Sequence, residues 1–210
     1  MTDAVINEFQ SIPTTAASDA MDGLNNLDPS IKPLKEDYHM VGRALTVKTS
    51  PGDNSAVLKA IHAAQPGDVL VIDAKGDTYR GVAGDFVLGM AQTLGINGFV
   101  VDGAIRDLVD CKALDFPVFC KATTIAASEK NGLGHINVPV TCGGVSVQPG
   151  DLVIGDADGV TVVPKDLEND VLSKARKKLD KDQARDEKIS GNKEAIKTYL
   201  EDMISKAYKK

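Results

Sequence analysis

The chain has no tryptophan and only 4% aromatic residues, so it has little from which to build the stacked ring platforms that hold single-stranded nucleic acid. Cysteine is also scarce. Cys111, Cys120 and Cys142 form no CxxC pair and leave an odd count, which disfavours both a zinc ribbon and a disulfide framework. Positive charge is in deficit: 24 Lys and Arg stand against 30 Asp and Glu, a net charge of −6, the wrong sign for general phosphate neutralisation. The one basic run, Lys174 to Lys181, is interrupted by Leu179 and Asp180 and reads as the solvated face of a helix. Long apolar runs are missing too. None approaches the ~20 residues that span a bilayer, and the first residues, Met1 to Glu8, show neither a basic nor an apolar signal region. The expectation is a cytoplasmic protein with no nucleic-acid partner and no membrane contact.

What is present is ordinary for a folded domain: 210 residues, 42% hydrophobic and 26% charged. A single α/β domain over 1–210 is expected, with a core at about 41–164 and a helical tail at 165–210. The first forty residues read as helical and irregular, with Ala16, Ala17, Ala20 and Met21 on one helical face before a break at Gly23. Alternation and β-branching predict a strand over 41–49. Pro51-Gly52-Asp53-Asn54 then turns the chain into a helix over 55–64, with Asp53 or Asn54 available to cap it. After Pro66-Gly67-Asp68, the apolar run 69–73 has the length of a strand buried on both faces. A glycine-containing loop leads to a predicted amphipathic helix over 85–94, on which Phe86, Met90 and Leu94 recur at i, i+4 and i+8 and Gly95 is the stop. A second buried strand occupies 98–102, several short strands fill 116–164, and two helical patterns follow Pro164. The segments 65–73 and 148–156 share a Gln-Pro-Gly-Asp turn before a strand, which reads as one turn chemistry used twice.

In a strand, helix, strand unit the strands run parallel and the helix returns between them. The helix N-terminus therefore lies at the strands' carboxyl edge, where open α/β sheets bind ligands. That geometry brings Gly84 and Asp85, at the helix start, near Arg106 and Asp107, just beyond the second strand. The amides of Phe86 and Val87 and the positive end of the helix suit a carboxylate. Arg106 adds a planar fork for carboxylate or enolate oxygen, Asp107 a hard oxygen ligand for Mg²⁺ or Mn²⁺, and Asp85 an acid/base or water-positioning group. The same residues also admit a structural reading, with Asp85 as a helix cap and Arg106-Asp107 as a loop ion pair.

From about residue 51 to 164 the chain resembles the 4-hydroxy-4-methyl-2-oxoglutarate/4-carboxy-4-hydroxy-2-oxoadipate aldolases, relatives of the regulator of ribonuclease activity A. The residues that carry the likeness are Pro51-Gly-Asp-Asn54, Pro66-Gly-Asp68, Gly84-Asp85, Asp102-Gly-Ala-Ile-Arg-Asp107, Asn137-Val-Pro139, Gly143-Gly144 and Pro149-Gly-Asp151. The family's signature of an Asp, twenty intervening residues and Arg-Asp is met by Asp85, Arg106 and Asp107. The resemblance implies an RraA-like swivelling β/β/α domain with N- and C-terminal helices. It implies a divalent-metal-dependent aldolase that cleaves 4-hydroxy-2-oxo acids to pyruvate and decarboxylates oxaloacetate. In that reading Arg106 contacts the pyruvyl keto oxygen, Asp107 ligates the metal, Asp85 handles a proton through water, and Gly84, Phe86 and Val87 hold the carboxylate. A homotrimer or homohexamer is implied, with a C-terminal glutamate lent by a neighbouring subunit, for which Glu187 is the best match.

Two other readings compete. One is a non-catalytic regulator that binds an RNA-degradation enzyme; the other is a sensor of pyruvate-like ligands with a vestigial site. A metal-ligating Asp after the Arg favours the enzyme. The Asp156-Ala-Asp158-Gly159 stretch lacks the ligand pattern of a calcium loop and reads as a tight hairpin turn, and no glycine-rich nucleotide fingerprint supports a methyltransferase.

Overall fold

The computed structural model describes residues 4–208, so the extreme ends of the 1–210 span lie outside the described residues. Helices α1 (Ala4–Phe9) and α2 (Thr14–Ala20) lead into β1 (Lys32–Pro33) and β2 (Met40–Lys48). Three helical connections between parallel strands follow: α3 (Ser55–Ala63) to β3 (Asp68–Gly81), α4 (Asp85–Thr93) to β4 (Gly98–Ile105), and α5 (Leu108–Ala113) to β5 (Val118–Thr123). Short strands β6 (Ala126–Ala127), β7 (His135–Ile136), β8 (Val140–Cys142) and β9 (Val145–Val147) precede the hairpin β10 (Leu152–Asp156) and β11 (Gly159–Val163). After a 3-10 turn at Lys165–Leu167 the chain ends in α6 (Glu168–Ile189) and α7 (Lys193–Ala207). No described helix is long and apolar enough to cross a membrane.

The main sheet runs β1-β5-β4-β3-β2-β10-β11, with β2 to β5 mutually parallel and the outer pairings antiparallel. It curls nearly into a barrel, and the interior is narrow enough that a Cβ on Gly155 of β10 would meet the Phe119 ring of β5 at 2.6 Å. Alternate residues of the parallel strands serve two cores, as strand pleating requires. Leu70, Ile72, Phe99 and Val101 pack under α3, α4 and α5, whereas Val69, Val71, Val100 and Phe119 fill the curled interior with Val153 and Val162. A third cluster seats α1, α2 and α6 on β10 and β11 through Phe9, Ile12, Ala17, Ile154, Val171 and Ala175.

Several expectations are refined. The strand that begins at Asp68 does not end at Asp73. It continues to Gly81, and its pairing with β4 shifts register after Asp73 and again after Asp77, so chain that reads as a loop stays beside β4. Helix α5 was not expected. On α4 the apolar stripe does not face the core: Leu88 and Ala91 are buried, whereas Phe86 is 75% and Leu94 51% exposed. Both faces of that helix are apolar, so periodicity alone could not choose between them. Leu167, expected on the tail helix, is exposed in the 3-10 turn. The paired turns do use one chemistry: Asp68 accepts the Gln65 amide and Asp151 the Gln148 amide, each at 2.8 Å, with Gly67 and Gly150 at positive φ.

Candidate active site

All three helices α3, α4 and α5 start at the carboxyl edge of the parallel strands, and the residues preceding them, Asn54, Gly84 and Asp107, line one cavity of about 270 Å³. None of the three caps its helix with its side chain. At α4 this leaves the first-turn amides, those of Phe86 and Val87 among them, directed at the cavity with no capping side chain in the way. Asp85, Phe86, Val87, Arg106 and Asp107 all line it, so six sequence-predicted residues, Gly84 included, come together. Glu187 does not join them in this chain. It lies exposed on α6, accepting a hydrogen bond from Gln183 at 2.9 Å.

Backbone geometry explains how Arg106 and Asp107 reach this place. The Arg106 amide donates to the Ala83 carbonyl at 3.0 Å, which carries the β3 extension alongside the end of β4. The approach is close enough that two glycines, Gly81 and Gly84, leave room for it. A Cβ on Gly81 would lie 2.9 Å from the Ile105 carbonyl carbon and 3.0 Å from the Arg106 amide nitrogen, and one on Gly84 would overlap Asp107 Oδ2. Asp107 itself sits at φ 58°, ψ 45°, the left-handed region that Asp and Asn tolerate better than other side chains. Its carboxylate pairs with Arg106 Nε at 3.2 Å, and both side chains remain part-exposed toward the cavity. Beneath them Cys111 donates to the Arg106 carbonyl at 3.1 Å; burial first, then the Asp107, Asp85 and Asp110 carboxylates, push its thiol up to about 12. That cysteine is a protonated packing residue rather than a nucleophile.

Three further lining residues were not found in the sequence: Asn54, Ser128 and Lys130. Asn54 is 8% exposed, and its side-chain oxygen is buried without a hydrogen-bond partner. Lys130 is exposed and has no ion-pair partner among the described residues. The cavity wall thus carries cationic or donor groups from two parts of the chain, Arg106 with the α4 amides from one and Lys130 with Asn54 from the other. Such a layout fits a small dianion.

The donor set also fits a hard divalent cation. Asp107 and Asp85 offer carboxylate oxygens at one cavity, and Mg²⁺ or Mn²⁺ is held by one or two such groups together with water and substrate oxygens. Among the described residues no cluster of three or more His, Cys, Asp or Glu is placed to hold a metal, so the closed set of protein ligands used for structural zinc is not what this cavity offers.

Comparison with known proteins shows what the chain as a whole is similar to. The chain is 63% identical over 199 residues, 95% of each chain, to a Halalkalibacterium halodurans protein that carries the provisional name 4-hydroxy-4-methyl-2-oxoglutarate aldolase. Among solved structures it is similar to Streptomyces coelicolor RraAS2, described as an unusual member of the RNase ES inhibitor RraA family, with TM-score 0.82, 27% identity, and coverage of 90% of this chain and 100% of that one. A Geobacillus kaustophilus structure described as an S-adenosylmethionine:2-dimethylmenaquinone methyltransferase is also similar, with TM-score 0.69, 32% identity, and coverage of 74% and 97%. The family profile of RraA-like proteins, Aldolase/RraA, matches residues 14–162, and with the α/β near-barrel described above it places this chain in the RraA-like family.

Proposed function

We propose that the protein is a divalent-metal-dependent aldolase that cleaves 4-hydroxy-2-oxo acids to pyruvate and also decarboxylates oxaloacetate. The observation that carries this reading is the convergence of Asp85, Arg106, Asp107 and the α4 amides on one small cavity. The pyruvyl carboxylate is held by the amides of Phe86 and Val87 at the positive helix end, beside Gly84. Arg106 faces the keto oxygen. When the C3–C4 bond breaks, its electron pair moves into the pyruvyl unit, and the guanidinium stabilises the enolate oxygen that forms. In the retro-aldol reaction the 4-hydroxyl proton leaves through a water oriented by Asp85, and a proton is later returned to C3 by the same route. With oxaloacetate the same bond breaks to release CO₂, leaving the same enolate. Asp107, with Asp85 nearby, would hold the Mg²⁺ or Mn²⁺, which when bound supplies Lewis-acid polarisation of the 2-oxo acid.

The test is pyruvate release from a panel of 4-hydroxy-2-oxo acids and oxaloacetate with Mg²⁺ or Mn²⁺, alongside Asp107→Asn. Asparagine keeps the size of the side chain and its tolerance of the left-handed backbone, but lacks the negative charge a hard cation needs. The variant should lose metal affinity and turnover, by about a hundredfold or more, while its circular dichroism is unchanged. Wild-type metal affinity and turnover in the variant would leave Asp107 a structural loop residue. Following the same resemblance, we also propose a homo-oligomer built in threes, with the site completed by an acidic side chain from a neighbour, Glu187 being the candidate.

The likeness to RraAS2 supports a second reading, a non-catalytic regulator that binds an RNA-degradation enzyme. Pull-down of a purified ribonuclease, combined with no turnover on any substrate of the panel, would favour it.

A further inference from the structure

Asp53 has no part in the chemistry above, yet it is one of the most completely buried charged residues, 1% exposed. Its Oδ1 accepts the Ser55 amide at 2.8 Å and its Oδ2 accepts the Asn131 amide. Burial opposes its charge, but the hydrogen bonds from Ser55 and Asn131 outweigh it, and the carboxyl sits below the usual range. The carboxylate therefore ties the segment 52–55 to the segment 127–132. Other bonds follow the same seam: the Glu129 amide donates to the Gly52 carbonyl at 2.7 Å, the Asn54 amide to the Glu129 carbonyl at 3.1 Å, and the Gly132 amide to Ser55 Oγ at 2.9 Å. Between the end of β6 and the start of β7 the chain has no helix or strand of its own; on the β3 side it is held by the Ser128 hydroxyl, which donates to the Gly81 carbonyl at 2.9 Å, and by Arg80, and on the Asn54 side by the bonds above, which therefore set how close Lys130 stands to Asn54.

We infer that Asp53 is a positioning residue for the far end of the active site, holding the Ser128 to Lys130 segment against Asn54 so that the Asn54 amide and the Lys130 ammonium receive the substrate group beyond the pyruvyl unit. This rests on the aldolase reading above. The pyruvyl end is carried by the start of α4 and the end of β4, and Asp53 makes no hydrogen bond to either. Loss of the carboxylate should therefore affect the two ends of a substrate unequally. Without it, two amides from different segments face one buried place with no shared acceptor, and the far wall, still tied to β3 through Ser128 and Arg80, loosens against Asn54 while Arg106 and Gly84 stay in position.

The experiment compares Asp53→Asn and Ser55→Ala with the wild-type full chain in Mg²⁺, using two probes. The first is cleavage of 4-hydroxy-4-methyl-2-oxoglutarate, which has a distal carboxylate. The second is exchange of the pyruvate methyl protons in D₂O, followed by NMR, which needs the enolate but involves no distal group. Asp53→Asn should raise KM for cleavage by about tenfold with a smaller change in kcat, Ser55→Ala by about threefold, and pyruvate exchange should stay within about twofold in both. Unchanged KM, or equal losses with both probes, would overturn the inference while leaving the aldolase reading intact. Absence of both activities in the wild type would remove the aldolase reading itself and the inference with it. Should Asp53→Asn fail to fold, Ser55→Ala decides the question alone, since it removes a surface-side bond and buries no unpaired charge.

Discussion

At the scale of single residues, the site depends on what is absent from a side chain as much as on what is present. Gly84 is in extended backbone open to any residue, so its conformation is not the reason for glycine. The reason is space: an added Cβ would overlap Asp107 Oδ2 and come within 3.2 Å of Arg106 Cγ and 3.3 Å of Nε. The overlapping atom is the end of a side chain, so the fold can absorb a methyl group by moving the carboxylate. Gly84→Ala is therefore expected to keep the wild-type melting temperature within a few degrees and to lower pyruvate release by about tenfold or more, because displacing a reacting or ligating group by about 1 Å is costly to rate. Wild-type kinetics in that variant would show that Asp107 need not stand where it does.

At the scale of elements, the residues that precede the three helices at the site do not cap them with their own side chains, and α2 borrows its cap from the sheet. Asp156, at the end of β10, accepts the Thr14 amide at 2.8 Å and the Thr14 hydroxyl at 2.7 Å, and also takes the Asp158 amide across its own hairpin turn at 3.0 Å. The stretch read as a tight hairpin turn is one, with Asp156 opposite Gly159, and its aspartate also secures the N-terminal helices to the sheet. Asp156→Ala should destabilise the protein by about 1–2 kcal/mol, seen as a lower urea midpoint, without changing pyruvate release. An unchanged midpoint would mean that α1 and α2 are held by their apolar contacts alone.

At the scale of the whole molecule, two apolar surfaces have no partner among the described residues. One is the groove between α3 and α4, lined by Leu58, Ile61, Phe86, Met90 and Leu94, which shares Leu58, Phe86 and Met90 with the wall of the active-site cavity. The other is α7, which buries no residue and exposes Leu200, Met203 and Ile204. Apolar area of this kind is commonly covered by another chain. In keeping with the proposed assembly in threes, light scattering at micromolar concentration is expected to give a mass near three or six times 22.2 kDa. Leu94→Lys, which puts a charge in the groove, should lower that mass while leaving the far-ultraviolet circular dichroism unchanged. A monomeric wild type would remove the proposal.

Much of this protein was determined by short stretches of sequence. The apolar runs at 69–73 and 98–102, with a helix between them and glycines at its ends, dictate a parallel unit by local periodicity, and the unit brings Asp85 to Arg106 and Asp107 because all three lie within it. Tertiary structure alone decided the rest. Asn54, Ser128 and Lys130 meet across more than seventy residues of chain through backbone bonds to a buried Asp53, and backbone pairing of irregular segments leaves no periodic trace in side-chain identity. The outward turn of the Phe86, Met90 and Leu94 stripe was likewise open, since α4 is apolar on both sides and only packing against β3, β4 and α5 selected Leu88 and Ala91 for the core. The continuation of β3 past Asp73 depended on its neighbour too: a polar segment became strand because β4 offered hydrogen bonds to it.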